Sequence, residues 1–275
     1  MVIGAGGMLG MSMTTALKEF ELVALSRQDL DITCYSRITH LLFKYKPEYI
    51  INCAAYTAVD KAESEPNAAY LINYRAVQML AYAAKKIHAT VIHFSTDYVF
   101  DGTANNPYKP EDDTNPINIY GKSKWLGEQA LRASGVNHYT FRLSWLYAPH
   151  GKNFFKWVLE NNLEEMQIVN SQTGSPTSAI DVSDFIKHII ITDPKSYGTY
   201  HFCNEGSLTW YAFAKAILKK AGIDKKIIPV DDFPTIAARP QYSVMDCTKI
   251  KTIFNYKIPS QKEALQLVYR KYSSR

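Results

Sequence analysis

A doubly wound α/β fold, a parallel sheet with helices on both faces followed by a smaller cap, is predicted by three features of the sequence. Short apolar runs alternate with helical patterns through the first 149 residues, a glycine-rich turn joins the first run to the first helix, and the alternation loosens after about Pro149. Strands that alternate with helices need crossover connections, and right-handed crossovers place the helices on both faces of a parallel sheet.

Met1-Val2-Ile3 reads as the first strand, with a helix following to about Phe20; Glu21–Ser26 reads as a strand and Tyr35–Tyr45 as a helix. The run Tyr49-Ile50-Ile51 inside Glu48–Ala54 marks the next strand. Asn67–Ile87 has the period of a long amphipathic helix, and Ala89–Ser95 is a buried strand. Helix Ile119–Ser134 and strand Asn137–Leu143 complete the regular part. Beyond it, Lys152–Asn161, Ser183–Ile191, Trp210–Ala221 and Pro259–Lys271 look helical, and Pro229 to Pro240 is irregular. No flexible linker divides the chain. Residues 1–149 are expected to form the sheet-bearing half, and 150–275 mainly the cap, with some later segments returning to the sheet and a cleft between the parts.

Of the 275 residues 47% are hydrophobic and 21% charged, the balance of an ordinary globular protein with a sizeable core. The net charge of +5 is spread among acids rather than clustered, so no nucleic-acid footprint is expected. Cys34, Cys53, Cys203 and Cys247 form no CxxC unit and have no zinc-type histidine pattern, which predicts reduced thiols in a cytoplasmic protein and no metal site. No signal peptide is expected, and no apolar run is long enough to span a membrane.

Gly4, Gly7 and Gly10 form G-x-x-G-x-x-G between the first strand and helix. Such a loop gives a tight turn at Gly4, close approach of backbone to a pyrophosphate at Gly7, and close helix packing at Gly10. The helix N-terminus adds free N–H groups and a positive dipole end. This placement predicts a Rossmann-like dinucleotide site. Only three residues precede Gly4, so the first strand is short, as in a chain whose native start lies further upstream. After the second strand, Arg27 would pair with a 2′-phosphate, whereas Asp29 or Asp31 would hold a ribose hydroxyl. The reading is NADP or NAD, with NADPH slightly favoured; the alternative for Arg27 is a solvated surface charge.

Tyr120-Gly121-Lys122-Ser123-Lys124 is a Tyr-x-x-x-Lys unit, whose ends share one helix face. A free phenol with a pKa of about 10 transfers protons poorly near neutrality, and an adjacent ammonium would stabilise its phenolate. In a chain with 19 tyrosines the spacing alone is common. Its context is more informative. Ala89–Phe94 runs into Ser95-Thr96-Asp97, a hydroxyl-rich segment at the carboxyl end of a strand, where ligands of open α/β sheets bind. Thr96 or Ser95 would then bond a substrate carbonyl that Tyr120 protonates.

At this point the chain resembles the extended short-chain dehydrogenase/reductase family over nearly its whole length. The resemblance is carried by GAGGMLG (Gly4–Gly10), LDIT (Leu30–Thr33), NCAAYTAVDKAE (Asn52–Glu63), FSTDYVFDG (Phe94–Gly102), YGKSKWLGE (Tyr120–Glu128), RLSWLY (Arg142–Tyr147), Gly174-Ser175-Pro176-Thr177 and Ala238-Arg239-Pro240. Cys34 departs from it, standing where members often carry an acid. The resemblance implies a catalytic acid at Tyr120, a partner and ribose ligand at Lys124, and a tuning hydroxyl at Thr96. It implies pyrophosphate contact at Gly7-Met8-Leu9, adenine contact at Asp31-Ile32, and contact of Ala55-Tyr56-Thr57 with the nicotinamide-side ribose and phosphate. Asp97 and Trp145 would contact a nucleotide-sugar substrate and Arg239, where the cap approaches, its diphosphate, although Trp145 alone reads equally as a core aromatic. The implied reaction is reduction of the C4 ketone of dTDP-4-dehydro-6-deoxy-L-mannose to dTDP-L-rhamnose, with hydride from the nicotinamide and a proton from Tyr120. The alternatives are another nucleotide-sugar reductase or epimerase of the superfamily, or a non-catalytic subunit resembling methionine adenosyltransferase beta. The resemblance admits a homodimer; some members use a divalent ion in dimerisation, but no ligand set for one stands out here.

Overall fold

The structure is a computed structural model and describes residues 1–274. The chain runs through β1 (Val2–Ile3), α1 (Met8–Ala16), β2 (Ala24–Leu25), α2 (Tyr35–Tyr45) and β3 (Tyr49–Asn52). The next crossover holds α3 (Val59–Ser64), α4 (Pro66–Tyr70), a π-helical turn at Leu71–Arg75 and α5 (Ala76–Lys86), and returns at β4 (Thr90–Thr96). A 3-10 turn (Asp97–Val99) and a long loop lead to α6 (Ile119–Ser134) and β5 (His138–Leu143). The second half contains β6 (Leu146–Tyr147), α7 (Phe154–Glu160), β7 (Glu165–Val169), β8 (Thr173–Gly174), β9 (Thr177–Ser178) and α8 (Ala179–Thr192). It ends with β10 (Gly198–His201), β11 (Leu208–Thr209), α9 (Trp210–Ala221), β12 (Lys226–Val230), α10 (Thr248–Phe254) and α11 (Gln261–Ser273).

The main sheet is all parallel, in the order β10-β5-β4-β3-β1-β2. The chain leaves β1 toward β2 and then crosses back to β3, so the order reverses between β1 and β3. That switch point opens a crevice at the carboxyl ends of the strands. β4 is buried at every position, as a strand covered on both faces must be. One apolar layer, including Leu9, Met13, Phe141 and Phe185, joins α1 and α8 to one face; a second, including Ile38, Leu80 and Leu131, fills the other. A third cluster lies in the second half, where Phe155, Phe213, Ile217 and Val268 pack α7, α9 and α11 together with Met166 and Ile168 of β7.

Three sequence expectations need correction. The strand expected over Glu21–Ser26 shrinks to Ala24–Leu25, because this edge strand pairs only with the two-residue β1. The helix expected over Asn67–Ile87 is interrupted by the π turn, which sets Asn73 at a buried junction between helices. The stretch expected to be irregular from Pro229 begins inside a strand, since Lys226–Val230 pairs in parallel with Glu165–Val169.

The buried ion pair between α6 and β5 fastens the helix that carries the Tyr-x-x-x-Lys unit. Arg142 Nη2 donates to Glu128 Oε2 at 2.8 Å and Arg142 Nε to Glu128 Oε1 at 3.0 Å, with the side chains 3% and 1% exposed. Removing one member leaves a buried charge uncompensated. Glu128→Ala is expected to lower the unfolding free energy by about 3–5 kcal/mol in urea denaturation. A loss under about 1 kcal/mol would show that the pair is not a fastening.

Candidate active site

Helix α6 can approach the sheet because two of its positions lack a side chain. A Cβ on Gly121 would lie 2.1 Å from the Tyr98 carbonyl oxygen, and one on Gly127 would lie 2.2 Å from that of Asn73. Asn118 caps the helix, its Oδ1 accepting from Gly121 N at 2.7 Å. Tyr120 therefore sits in the first turn of α6, beside the end of β4. Its ring meets Tyr98 edge-on, with centroids 5.7 Å apart.

Thr96 and Tyr120 come together as expected. The neighbouring Thr96 hydroxyl favours the phenolate, but burial dominates and pushes the phenol above its ordinary value; Asp97 and Tyr98 add to that rise. Successive strand residues face opposite sides, so Ser95 turns away from Thr96, and its buried Oγ has no partner among the described residues. Of the two hydroxyls left open by the sequence, it is Thr96 that neighbours the phenol. Asp97 is buried and accepts from Thr96 Oγ1 at 3.0 Å.

The expected coupling of Lys124 to the phenol is not what the structure shows. Lys124 is buried, and its Nζ donates to the Phe94 carbonyl at 2.6 Å. Burial lowers its pKa to about 8, against smaller rises from Glu128 and Cys53. The ammonium is drawn to a strand carbonyl because that acceptor is fixed and desolvated, while the neutral phenol offers it little.

The glycine loop is built as its spacing predicts. Gly4 has φ +78°, and a Cβ there would meet Ala54 N at 2.7 Å; a Cβ on Gly10 would meet the Gly4 carbonyl oxygen at 2.1 Å. Gly7 opens α1 with no side-chain cap, so the first N–H groups of the helix are offered at the switch point. Met8 is half-buried, whereas the Leu9 side chain belongs to the core, leaving only its backbone for a ligand. Arg27 is exposed after β2. The nearby acids are engaged locally: Asp29 accepts from Ser26 N and Oγ, and Asp31 from Thr33 N and Oγ1, while Ile32 is buried. The edge therefore presents the Arg27 guanidinium beside two locally bonded carboxylates.

Sequence reasoning missed the clamp around Tyr56. Asn73 Oδ1 accepts from Tyr56 N at 2.9 Å, and Asn73 Nδ2 donates to Tyr56 O and to Ser123 Oγ. One buried amide thus ties the Ala55-Tyr56-Thr57 loop to α6. An asparagine inside a helical apolar pattern was the only signal, and it is a weak one. The Tyr56 hydroxyl itself turns to Glu65, at 3.1 Å.

On the far side, Phe154, Trp157, Leu163, Gln172, Trp210 and Arg239 line part of a cleft of about 690 Å³. Trp145 stacks on Trp210 at 3.6 Å between ring centroids and is half-buried, with φ +45°. Gly174 fits against its indole, where a Cβ would be 2.5 Å away. Arg239 donates to the Tyr98 hydroxyl and pairs with Asp60, which joins the cap to the end of β4. Among the described residues no group of three or more His, Cys, Asp or Glu could hold a metal ion. Cys203 and Cys247, distant in sequence, lie with their sulfurs 3.3 Å apart.

A glycine loop at the switch point of a parallel sheet, with a Thr–Tyr pair and a buried lysine beside it, defines a dinucleotide-dependent oxidoreductase of the short-chain dehydrogenase/reductase class. More narrowly, the chain belongs to the family described as RmlD substrate binding domain, whose pattern matches residues 1–274. A dTDP-4-dehydrorhamnose reductase from Aggregatibacter actinomycetemcomitans is 38% identical over 283 residues, covering 97% of this chain and 96% of the relative. A crystal structure of dTDP-4-dehydrorhamnose reductase from Bacillus anthracis in complex with NADP superposes with a TM-score of 0.95 at 36% identity, covering 98% of both chains. A UDP-glucose 4-epimerase from Thermus thermophilus shares the fold alone, with a TM-score of 0.82 at 16% identity and coverage of 99% and 98%.

Asp97 gives the site a pH signature. Burial raises its carboxyl from 3.8 to about 6, so the folded protein holds that proton more tightly than the unfolded chain does. Its stabilising contribution is full below the unfolded value and is lost as pH rises through about 6. Two units correspond to about 3 kcal/mol. Asp97→Asn should therefore gain about 3 kcal/mol on the parent between about pH 4 and pH 8, read by urea denaturation at both. A difference that does not change with pH would refute the burial argument.

Proposed function

We propose that this chain reduces the C4 ketone of dTDP-4-dehydro-6-deoxy-L-mannose (dTDP-4-dehydrorhamnose) to dTDP-L-rhamnose, using NADPH or NADH. The observation that carries the reading is the meeting of Thr96 and Tyr120 at the carboxyl end of β4, in a chain whose full-length relatives bear that enzyme's name. The relatives supply the substrate; the residues supply the chemistry.

When bound, the nicotinamide supplies a hydride to the ketone carbon. Tyr120 donates the proton to the ketone oxygen, and Thr96 bonds that oxygen and the phenol. A donor must be protonated at rest, and burial holds the phenol in that form. Lys124 is poised to hold ribose hydroxyls from its place on the Phe94 carbonyl. Gly4, Gly7, Met8, Leu9 and Gly10 form the pyrophosphate turn, Asp31 and Ile32 border the adenine, and Ala55, Tyr56 and Thr57 line the nicotinamide side. Arg27 gives NADPH its slight advantage, through bidentate bonding to a 2′-phosphate. Residues 1–149 form the dinucleotide half, with later segments completing the sheet, and 150–275 mainly the substrate cap. Asp97 and Trp145 from the first half and Arg239 from the cap act on the nucleotide-sugar, and the aromatic walls of the cleft suit a flat base. Homodimerisation and a cytoplasmic location are part of the same proposal; among the described residues no helix is long and apolar enough to cross a membrane.

Purified protein, given NADPH or NADH and the 4-keto sugar generated enzymatically in situ, should consume the reduced cofactor. Tyr120→Phe should lower kcat about 10²- to 10⁴-fold, the usual span of general acid catalysis, with cofactor affinity nearly unchanged. Full activity in that variant would sink the mechanism. Absence of turnover in the parent, with tight binding to another protein, would favour the regulatory-subunit reading. Arg27→Gln should raise the KM for NADPH more than that for NADH; equal effects would remove Arg27 from cofactor choice.

A further inference from the structure

Arg239 sits on a strap, residues 237–239, that crosses from the cap to the first half of the chain. Its guanidinium carries five N–H donors in a rigid fork. Nη2 donates to Asp60 Oδ2 at 2.8 Å and Nη1 to the Tyr98 hydroxyl at 3.2 Å, while Nε is buried with no partner among the described residues. Asp60 uses its other oxygen on the same strap, with Oδ1 accepting from Ala237 N at 3.1 Å. A single carboxylate thus fixes both the backbone and the side chain of the strap.

The bracket continues into the helix that carries Tyr120. Asn118, the N-cap of α6, donates through Nδ2 to Ala238 O at 2.8 Å. Glu63, three residues after Asp60 on the short helix α3, accepts from Ile119 N at 2.8 Å. Residues three apart on a helix share a face. That face of α3 therefore holds the strap through Asp60 and the start of α6 through Glu63.

We infer that Asp60 is a positioning residue for the diphosphate of the substrate. It contacts no reacting atom; it sets the direction of the Arg239 fork so that the remaining donors meet an oxyanion in the cleft. Asp60 and Arg239 both line that cleft. A bare carboxylate there would repel a diphosphate, whereas one tied to a guanidinium adds no net charge. Without Asp60, the guanidinium would swing on its flexible stem, and binding would have to order it first. The inference rests on the proposed nucleotide-sugar substrate.

Asp60→Asn keeps an acceptor for Ala237 N but turns an amide donor toward Nη2, which releases the fork. The Asp60 side chain is 41% exposed, so the variant should fold; Asp60→Ser serves as the second variant. The expected result is a KM for the 4-keto sugar raised about tenfold, equivalent to about 1.4 kcal/mol, with kcat changed less than about twofold. The Kd for dTDP on the NADPH-loaded protein, measured by calorimetry, should rise equally, and that for NADPH should not move. In an Arg239→Lys background, Asp60→Asn should add nothing further, since the interaction it removes is already gone. The inference is overturned by an equal loss in both backgrounds, by a fall in kcat at constant KM, by unchanged binding, or by tighter dTDP binding in Asp60→Asn. If the parent neither turns over the sugar nor binds dTDP, the functional reading fails and takes this inference with it; if the parent does both and Asp60→Asn matches it, this inference fails alone.

Discussion

The site depends on how closely one helix can lie against the sheet. Gly121 and Gly127 bring α6 to within van der Waals contact of two backbone carbonyls, those of Tyr98 and Asn73. Any side chain at either position would push the helix outward by more than the reach of a hydrogen bond's tolerance. At the observed distance Lys124 reaches the Phe94 carbonyl, Ser123 meets Asn73, and Asn118 reaches the strap of the cap. Glu128 finds Arg142 on the neighbouring strand at the same approach. Four interactions of different chemistry thus share one geometric cause, and they lie along a single run of eleven residues.

Burial then sets the resting state of the three titratable groups nearest the reaction. The phenol of Tyr120 is raised, the carboxyl of Asp97 rises to about 6, and the ammonium of Lys124 falls to about 8. Desolvation is the largest cause in each case, and it disfavours whichever form is charged. For a reduction this bias is useful. A proton donor would begin with its proton here, with the Lys124 ammonium held on the Phe94 carbonyl. The Tyr–Lys spacing suggests an ammonium that tunes the phenol, but in the free protein that ammonium is occupied by a strand carbonyl.

Much of this was legible in the sequence, for reasons that differ between elements. Helix Tyr35–Tyr45 and helix Ile119–Ser134 have the predicted bounds because their apolar period and their ends are local properties. The glycine loop was legible because its conformation has few other solutions: φ is +78° at Gly4, and no Cβ fits at Gly10. The π turn at Leu71–Arg75 was not, since it answers a contact with Gly127, more than fifty residues away in the chain. The same holds for Asp60, which reads as a surface acid until the strap 237–239 folds onto it. Thr96 and Tyr120 could be nominated separately, by strand end and by spacing; only the tertiary fold places their hydroxyls together.

The division of labour between the halves follows from these constraints. The dinucleotide crevice is fixed by topology, because the strand order reverses between β1 and β3 whatever the later loops contain. A fold shared with epimerases cannot by itself choose a substrate. The cap touches the end of β4 at Arg239 on Tyr98, and Trp145 packs against Gly174 and Trp210. The two contacts come from separate segments: Trp145 just after β5, and the strap 237–239 before α10. The Tyr98 ring joins them to the chemistry, since its hydroxyl accepts from Arg239 while its edge meets the catalytic phenol's ring. The strap and the first turn of α6 therefore meet on one aromatic ring, that of Tyr98.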